Sequence, residues 1–166
     1  MALPAFVAAK LPVTKNHEIV LGKSVGGVNL GTKKGQAIAK WGSKPRCLPP
    51  DESGVETCLW EPPNGMGDGG FINVWNTKVI TVGVSATTIG TQTPYALNVL
   101  SSFKTAKGIH IGSSKTAAES KYPGMKVPKG EAGAPFLYLC KAACTVFGGL
   151  GPKIERISVT SNEEYR

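Results

Sequence analysis

Residues 27–42 read GVNLGTKKGQAIAKWG, and residues 108–123 read GIHIGSSKTAAESKYP. The two segments align without a gap, because each starts with alternating apolar residues, turns at a glycine and continues with a helical pattern. In the first copy Ala37, Ile38 and Trp41 form the apolar face of a helix that ends just before a glycine, the usual residue at that position. The repeated segment predicts two copies of one helix-containing unit, each with an aromatic residue pressing the helix on the core.

Short runs of strand-forming residues follow each copy. Val79–Val84 has Ile80, Val82 and Val84 at every second position, the pattern of a half-buried strand. A further helix is predicted over 94–104, since apolar residues recur there at helical spacing after a Thr-Pro start. The predicted strands are 19–21, 56–60, 71–75 and 79–84 in the first half and 136–140, 144–147 and 154–159 in the second.

These elements predict an α+β fold in which a helix, a loop and three antiparallel strands occur twice in tandem. The division that follows is a flexible lead over 1–16, a first repeat over 17–90, a second repeat over 91–160 and a polar tail over 161–166. Glycine and proline are frequent, with 21 and 12 residues, which favours many short elements joined by tight turns.

The charge balance is basic, with 19 Lys and Arg against 11 Asp and Glu. Arginines are few and no aromatic residues interleave with the basic ones, so a nucleic-acid partner is not expected. The densest basic run is opposed only by Glu119, and it is interpreted either as a solvated face or as a surface for an anionic envelope polymer or lipid. Its members are Lys104, Lys107, Lys115, Lys121, Lys126 and Lys129.

The four cysteines fall into one local pair per half, Cys47 with Cys58 and Cys140 with Cys144. Of three connectivities this one is favoured, because each bridge closes locally. Disulfides indicate a secreted, periplasmic or cell-envelope protein. The segment 1–10 is too short for a signal peptide and has the composition of the remainder of one.

No metal, cofactor or catalytic site is predicted. Only His17 and His110 are available as histidine ligands, and the cysteines are better used in bridges. The segment 101–104 has the Ser-x-x-Lys spacing of penicillin-recognising enzymes, but their Ser-Asp-Asn and Lys-Thr-Gly motifs are absent. The spacing is therefore interpreted as the polar edge of a helix, and the chain is not expected to be an enzyme.

The tandem unit resembles the β-lactamase inhibitor protein family. Its repeat is also similar to the small lipoprotein of the outer-membrane β-barrel assembly machinery. The family's repeat opens with Gly-Met-Thr, two variable residues and Gln, and here residues 31–36 read GTKKGQ. The resemblance implies two opposing repeats that form one curved antiparallel sheet, with helices on one face and one disulfide in each repeat.

In that family an acidic residue on a hairpin loop of the first repeat enters the target enzyme. The resemblance places Asp68 in this role, with Met66 beside it, whereas an ordinary turn acid is the structural alternative. The family's second inhibitory loop is a long hairpin, but the corresponding segment here is only 141–143. A second set of candidates lies on predicted strands and is interpreted either as core or as an aromatic concave sheet that binds a partner. This set is Trp60, Trp75, Tyr138 and Phe147.

The resulting hypothesis is an exported, non-catalytic protein-binding module whose target is unknown, with a β-lactamase or a secreted protease as examples. The alternative is a structural or assembly protein of the bacterial cell envelope that has no soluble enzyme target.

Overall fold

The computed structural model describes residues 10–61, 68–86, 94–127 and 136–161. These ranges contain eleven strands and three helices, which confirms the α+β class. The strands are β1 (Glu18–Val20), β2 (Ser24–Val25), β3 (Val28–Asn29), β4 (Arg46–Cys47), β5 (Glu56–Trp60), β6 (Gly69–Trp75), β7 (Lys78–Ser85), β8 (Lys104–Thr105), β9 (Phe136–Cys140), β10 (Cys144–Gly148) and β11 (Arg156–Thr160). The helices are α1 (Lys34–Trp41), α2 (Pro94–Ser101) and α3 (Lys115–Lys121). None of these helices has the length and apolar character needed to cross a membrane.

The larger sheet has seven antiparallel strands in the order β4-β5-β6-β7-β11-β10-β9. Strands from the first half of the chain lie on one side, and strands from the second half lie on the other. The two groups meet where β7 pairs with β11, and the middle of that pairing is Gly83 opposite Ser158. The predicted strands 56–60 and 136–140 coincide with β5 and β9.

A second, smaller sheet has the order β3-β2-β1-β8, so the expectation of a single antiparallel sheet needs correction. Its β1 and β8 are parallel, with Ile19 opposite Thr105. The second sheet forms because residues 18–29 contain two tight glycine turns. Gly22 and Gly26 have φ angles of 69° and 56°, a region that glycine enters at little cost, and they fold the segment into short antiparallel strands.

The helix predicted over 94–104 ends at Ser101. Beyond it the backbone is used in β8, where Lys104 N donates to His17 O at 2.9 Å and Thr105 N donates to Ile109 O at 2.9 Å. Helical spacing of apolar residues continues to position 103, but the long-range bond from Lys104 to His17 requires extended backbone. Pairing with β1 therefore overrides the local pattern.

The two copies of the repeated segment make the same backbone hydrogen bonds to the last part of their own half of the sheet. Gly31 N donates to Val79 O of β7 at 2.8 Å, and Gly112 N donates to Ile154 O, two residues before β11, at 2.7 Å. In both copies the bonded residue returns a bond of 2.8 Å to the carbonyl of the residue after the glycine. Each helix is thus attached at its start to the strand that closes its half of the chain or to the segment leading into it.

The helix ends differ between the copies. At the start of α3 the Ser114 hydroxyl accepts from Ala117 N at 3.0 Å, whereas Lys33 at the same place before α1 makes no side-chain cap. At the end of α1, Gly42 adopts φ 69° and its N–H donates to Ile38 O, as the sequence predicts.

The core includes Trp41 of α1, which is fully buried with its ring 4.7 Å from that of Trp60. Tyr122, the matching residue of the second copy, is also buried, which confirms that both aromatic residues face inward. Leu11 and Pro12 are buried beside this cluster, and Val13 N donates to Trp41 O at 2.7 Å. The description of 1–16 as a flexible lead is therefore wrong for residues 11–13, because this apolar pair covers the end of α1.

Two disulfides connect Cys47 with Cys58 and Cys140 with Cys144, the pairing that the sequence favours. Each bridge joins directly opposite residues of neighbouring strands, β4 with β5 and β9 with β10. Because β4 and β9 are the outermost strands of the larger sheet, the bridges attach both of its edges to the interior.

Candidate functional site

Register and side-chain alternation divide the larger sheet into two faces. On one face Ile72 and Ile157 share a buried cluster with Trp41 of α1, Leu100 of α2 and Ala118 of α3. This face is called the inner face, and the opposite one the outer face. Since all three described helices contribute to the inner cluster, a partner can reach the larger sheet only at its outer face and edges.

Two of the four aromatic candidates lie on the inner face. Trp60 and Phe147 are fully buried, and the Trp60 indole N–H donates to Ser43 O at 2.8 Å. Their assignment as partner contacts is therefore wrong. Phe147 is paired with Ile157, so alternation along β10 places its ring among the core residues.

The other two aromatic candidates lie on the outer face. Trp75 is 54% exposed at the end of β6, and Tyr138 is half-buried on β9. They are far apart on the sheet, since β6 and β9 are separated by three strands. The structure therefore divides the aromatic set into a core pair and an outer pair.

One line of outer-face residues crosses the whole sheet, one from each strand and one beyond β9. The pairings place them in the order Arg46, Leu59, Phe71, Gly83, Ser158, Val146, Tyr138 and Lys126. This line is called the transverse row. From either end, the row begins with a basic residue, continues with two apolar or aromatic residues and reaches a small residue at its centre. The row is therefore symmetric in residue type.

The centre of the transverse row is closely packed. A Cβ atom at Gly83 would lie 2.6 Å from the Phe71 ring, so only glycine allows that ring to lie flat across the central strand. The Arg156 guanidinium lies 4.3 Å from the centre of the same ring, in a cation–π contact. Phe71, Val146 and Ser158 are buried, whereas the two basic ends are exposed. The accessible chemistry of the row therefore lies toward its ends.

Trp75 is held in place from two directions. The tight turn after it has Asn76 and Thr77 at φ 48° and 66°, the geometry of a two-residue hairpin that reverses the chain between β6 and β7. On its other side a Cβ atom at Gly54 would lie 3.8 Å from the indole ring. The exposed ring therefore lies against the loop between β4 and β5.

That loop is organised by Asp51. One of its carboxylate oxygens accepts from the Ser53 hydroxyl at 2.6 Å, from Ser53 N at 2.9 Å and from Val55 N at 3.0 Å. The hydrogen bond from the Ser53 hydroxyl, followed by that from Val55 N, lowers the pKa of Asp51 below its ordinary value. The ionised carboxylate therefore orders the loop beside Trp75.

Asp68 does not lie on an exposed loop. It is 2% exposed and directly precedes β6, where the following Gly69 has φ 145° and passes so close to Trp60 O that a Cβ atom would lie 1.8 Å away. The expectation of an exposed acid is wrong, because β6 begins two residues earlier than the pattern indicates, with Gly69 paired to β7 and Gly70 paired to β5. Met66 lies outside the described residues.

Glu61 is a second buried acid next to the sheet. Both of its carboxylate oxygens accept from the Arg46 guanidinium, at 2.7 and 2.9 Å. The side chain of Glu61 is 7% exposed and that of Arg46 is 54% exposed. This pair fixes the basic residue at one end of the transverse row.

The structure orders part of the predicted basic run. The Lys107 ammonium donates to Lys121 O at 2.6 Å, and the Lys121 ammonium donates to Lys107 O at 2.8 Å. Lys107 also lies 4.9 Å from the centre of the Tyr122 ring. The Lys115 ammonium donates to Gly149 O, away from this pair. Of the remaining members, Lys104 lies on β8, Lys126 ends the transverse row and Lys129 is outside the described residues.

Within the described residues, the one group of close metal-type donors is Cys47, Glu56 and Cys58. Both sulfurs are in a disulfide, and Glu56 pairs with Lys34, so these atoms do not form a usable ligand set. The Ser-x-x-Lys segment is split between the end of α2, where the Ser101 hydroxyl donates to Asn98 O, and β8.

No protein-family model matches the chain, and no curated protein does either. Among solved structures, an extracellular protein containing an SCP domain from Bacillus anthracis is similar, with a TM-score of 0.52 and 13% sequence identity. The match covers 92% of this chain and 51% of that protein, so this chain spans about half of its length. At this identity the similarity concerns the fold alone.

Sequence reasoning did not find the transverse row, the place of Arg46 at its end or the contact of Arg156 with Phe71. Alternation separates Leu59 from Trp60 and Phe71 from Ile72, but it does not say which face is outer, and joining residues across strands requires the register. The central Gly83 carries the clearest signal, since a glycine inside a strand often marks a close approach.

Proposed function

We propose that this chain is an exported, non-catalytic protein-binding module and that the outer face of its larger sheet carries the binding surface. The observation that supports the proposal most directly is the transverse row, with exposed basic groups at its ends and aromatic and apolar groups between them. Arginine, tyrosine and tryptophan are the residues most enriched at the energetic centres of protein interfaces. Trp75 adds an exposed aromatic ring on the same face.

The proposal includes a tandem organisation of the β-lactamase-inhibitor type. Its support is the pair of matching hydrogen-bond patterns at Gly31 and Gly112, together with the symmetric meeting of the halves at Gly83 and Ser158. In this interpretation Arg46 corresponds to Lys126 and each half supplies half of the row. The smaller sheet is then an addition that joins the repeats.

Export is supported by the two disulfides, which persist in oxidising compartments. The similar solved structure is described as an extracellular protein, which agrees with this location.

In the proposed mechanism binding uses the sheet face instead of an inserted acidic loop, because Asp68 is buried. A partner would place apolar groups over the row and against Trp75, and acidic groups beside Arg46 and Lys126. Exposed charge pairs of this kind increase the association rate and select the partner more than they increase affinity. The aromatic residues would supply most of the affinity.

The first experiment screens serine β-lactamases and secreted proteases for binding and inhibition at micromolar concentrations of the protein. For a partner found in this way, Trp75→Ala and Tyr138→Ala should each weaken binding by roughly 1–3 kcal/mol with little change in melting temperature. Val13→Ala is the control, since Val13 is 66% exposed and lies beside the end of α1, which packs on the inner side of the sheet. The assignment of the surface would be contradicted if only Val13→Ala weakened binding, or if Trp75→Ala and Tyr138→Ala both bound as well as the unchanged protein.

The alternative function is a structural or assembly protein of the cell envelope that binds an anionic polymer or lipid. The observation that favours it is the fixed pair of Lys107 and Lys121 at the surface, in which each ammonium group donates to the backbone carbonyl of the other residue. Binding of the purified protein to envelope fractions that is lost at high salt, with no response in either enzyme panel, would favour this alternative.

A further inference from the structure

A cleft of about 660 Å³ lies beside the smaller sheet, away from the transverse row. The residues that line it are Lys15, Asn16, His17, Glu18, Lys104, Thr105 and Ala106. Six of these seven residues are exposed and only Thr105 is buried, so the cleft is wide and open to solvent. Two of the lining side chains, Lys15 and Lys104, are cationic and one, Glu18, is anionic, so the cleft carries a small excess of positive charge.

The walls of the cleft are fixed by hydrogen bonds and ring packing. The Asn16 side chain accepts from Glu18 N at 2.9 Å, and Lys104 N donates to His17 O at 2.9 Å, which ties the two walls together. The His17 ring packs edge-on against the fully buried ring of Phe103, with centroids 5.0 Å apart. The backbone of the cleft is therefore fixed, whereas the side chains of Lys15, Glu18 and Lys104 are exposed and would be ordered only when a ligand binds.

The charges around the cleft favour an anion, although Glu18 lies directly opposite Lys104 in the strand pairing. Lys15 and Lys104 come from opposite walls, and an ammonium group binds phosphate as a compact point charge. Lys107 directly follows the lining residue Ala106 and is held against Lys121, which adds positive potential on one side. Glu18 is the one acid among the lining residues, and a carboxylate accepts hydrogen bonds from hydroxyl groups.

We propose that this cleft binds the phosphate group of a phosphorylated polyol, with Lys15, His17 and Lys104 on the phosphate and Glu18 on a hydroxyl group. The same chemistry occurs in a free phosphate ester and in the headgroup of phosphatidylglycerol. The proposal does not depend on the protein-binding function, because it uses residues of the smaller sheet.

The experiment titrates ¹⁵N-labelled protein with glycerol 3-phosphate and follows backbone amide shifts. Saturable shifts at residues 15–18 and 104–106 are expected, with a dissociation constant on the order of millimolar for so open a site. Glycerol without phosphate should give none. Raising NaCl from about 50 to about 300 mM should weaken binding several-fold.

Three variants separate a site from general attraction to a basic protein. The double variant Lys15→Ala/Lys104→Ala should weaken binding roughly tenfold, because it removes two charged hydrogen-bond donors. Lys40→Ala/Lys44→Ala is the charge-matched control and should leave affinity unchanged, since Lys40 and Lys44 are exposed and do not line the cleft. Glu18→Gln should bind the phosphate ester about two-fold more tightly or better, because the nearest opposing charge is removed.

Vesicles of phosphatidylglycerol and of phosphatidylcholine distinguish the two sources of the phosphate group. Sedimentation with the former only, reduced by Lys15→Ala/Lys104→Ala but not by Lys40→Ala/Lys44→Ala, identifies the lipid headgroup as a ligand. Binding of glycerol 3-phosphate without vesicle binding identifies the free ester. Shifts spread over all exposed lysines, no saturation, or equal losses in the double variant and the control would overturn the proposal.

Discussion

The two copies of the repeated segment share their backbone bonds but use their aromatic residues differently. Trp41 is fully buried among apolar rings, 4.7 Å from Trp60 and 6.3 Å from Phe103. Tyr122 is 9% exposed, its hydroxyl accepts from Lys107 N at 3.3 Å, and the Lys107 ammonium lies over its ring. The backbone turn thus fixes where each helix begins, while the side chain decides whether the helix is held by apolar burial or also by polar contacts near the surface.

The largest effects are expected from two separate variants, each of which replaces one of these aromatic residues. Trp41→Ala should lower the free energy of unfolding by roughly 3–5 kcal/mol, because it leaves a large cavity between buried rings. Tyr122→Ala should cost about 2–3 kcal/mol, because less of its surroundings are closed off. Urea denaturation of the two variants measures both values, and equal losses would remove the distinction between the copies.

Trp41→Phe serves as the matched control for the first variant. The indole N–H of Trp41 is buried without a hydrogen-bond partner in the described part of the chain. Burying such a group unpaired lowers the free energy of unfolding by about 1–3 kcal/mol. Phenylalanine keeps an apolar ring and removes this donor, so its cost should be far below that of alanine. A loss as large as that of Trp41→Ala would show that the N–H has a role in the fold.

The second test compares the disulfides, one from each half. Cys47 and Cys58 are 11 residues apart, whereas Cys140 and Cys144 are 4 apart. By chain entropy the longer loop should contribute about 3 kcal/mol and the shorter about 2 kcal/mol. Thermal unfolding of the Cys47→Ala/Cys58→Ala and Cys140→Ala/Cys144→Ala variants checks the order, and a larger loss at the shorter loop would reverse it.

The third test concerns the helix starts. Ser114→Ala should destabilise the protein by about 1 kcal/mol, because Ala117 N loses its acceptor. Lys33→Ser in the first copy should stabilise the protein by a similar or smaller amount, since its hydroxyl group supplies a helix cap where none exists. If both substitutions changed the melting temperature in the same direction, the two helix starts would not be equivalent.

The smallest expected effect is local and depends on pH. The folded pKa of Asp51 is lowered, so the order that its carboxylate gives to the loop is present above the ordinary pKa of 3.8 and is lost as the pH falls through the lowered value. When the pH falls from neutral to below the lowered pKa, the Ser53 and Val55 amides should therefore lose protection against hydrogen exchange. In Asp51→Asn, whose side chain does not ionise, the same pH change should alter their protection little. Global stability should change little, because the loop is exposed.

Several parts of this fold follow from local pattern and others do not. The strand predictions at 56–60 and 136–140 are correct because β-branched, aromatic and apolar residues there lie between strong turn signals. The end of α2 is wrong by three residues, since the partner of Lys104 and Thr105 is β1, which local periodicity cannot reveal. The position of Asp68 is wrong for the same reason, because long-range pairing extends β6 toward it.

The candidate site shows the same limit more clearly. Alternation separates Trp60 from Leu59 and Trp75 from Val74, but it does not say which member of each pair faces the helices. The transverse row also depends on the register at Gly83 and Ser158, because a shift of one residue would move every member to the opposite face.

The parallel pairing of β1 with β8 has a consequence for the order of folding. Glu18 lies opposite Lys104, so one edge of β1 stays open until most of the chain has been made. The N-terminal half therefore cannot complete its structure until β8 has been made, and the step that closes the smaller sheet comes after that point. A chain that stops before β8 keeps a free strand edge, and such an edge pairs readily with another unfinished chain.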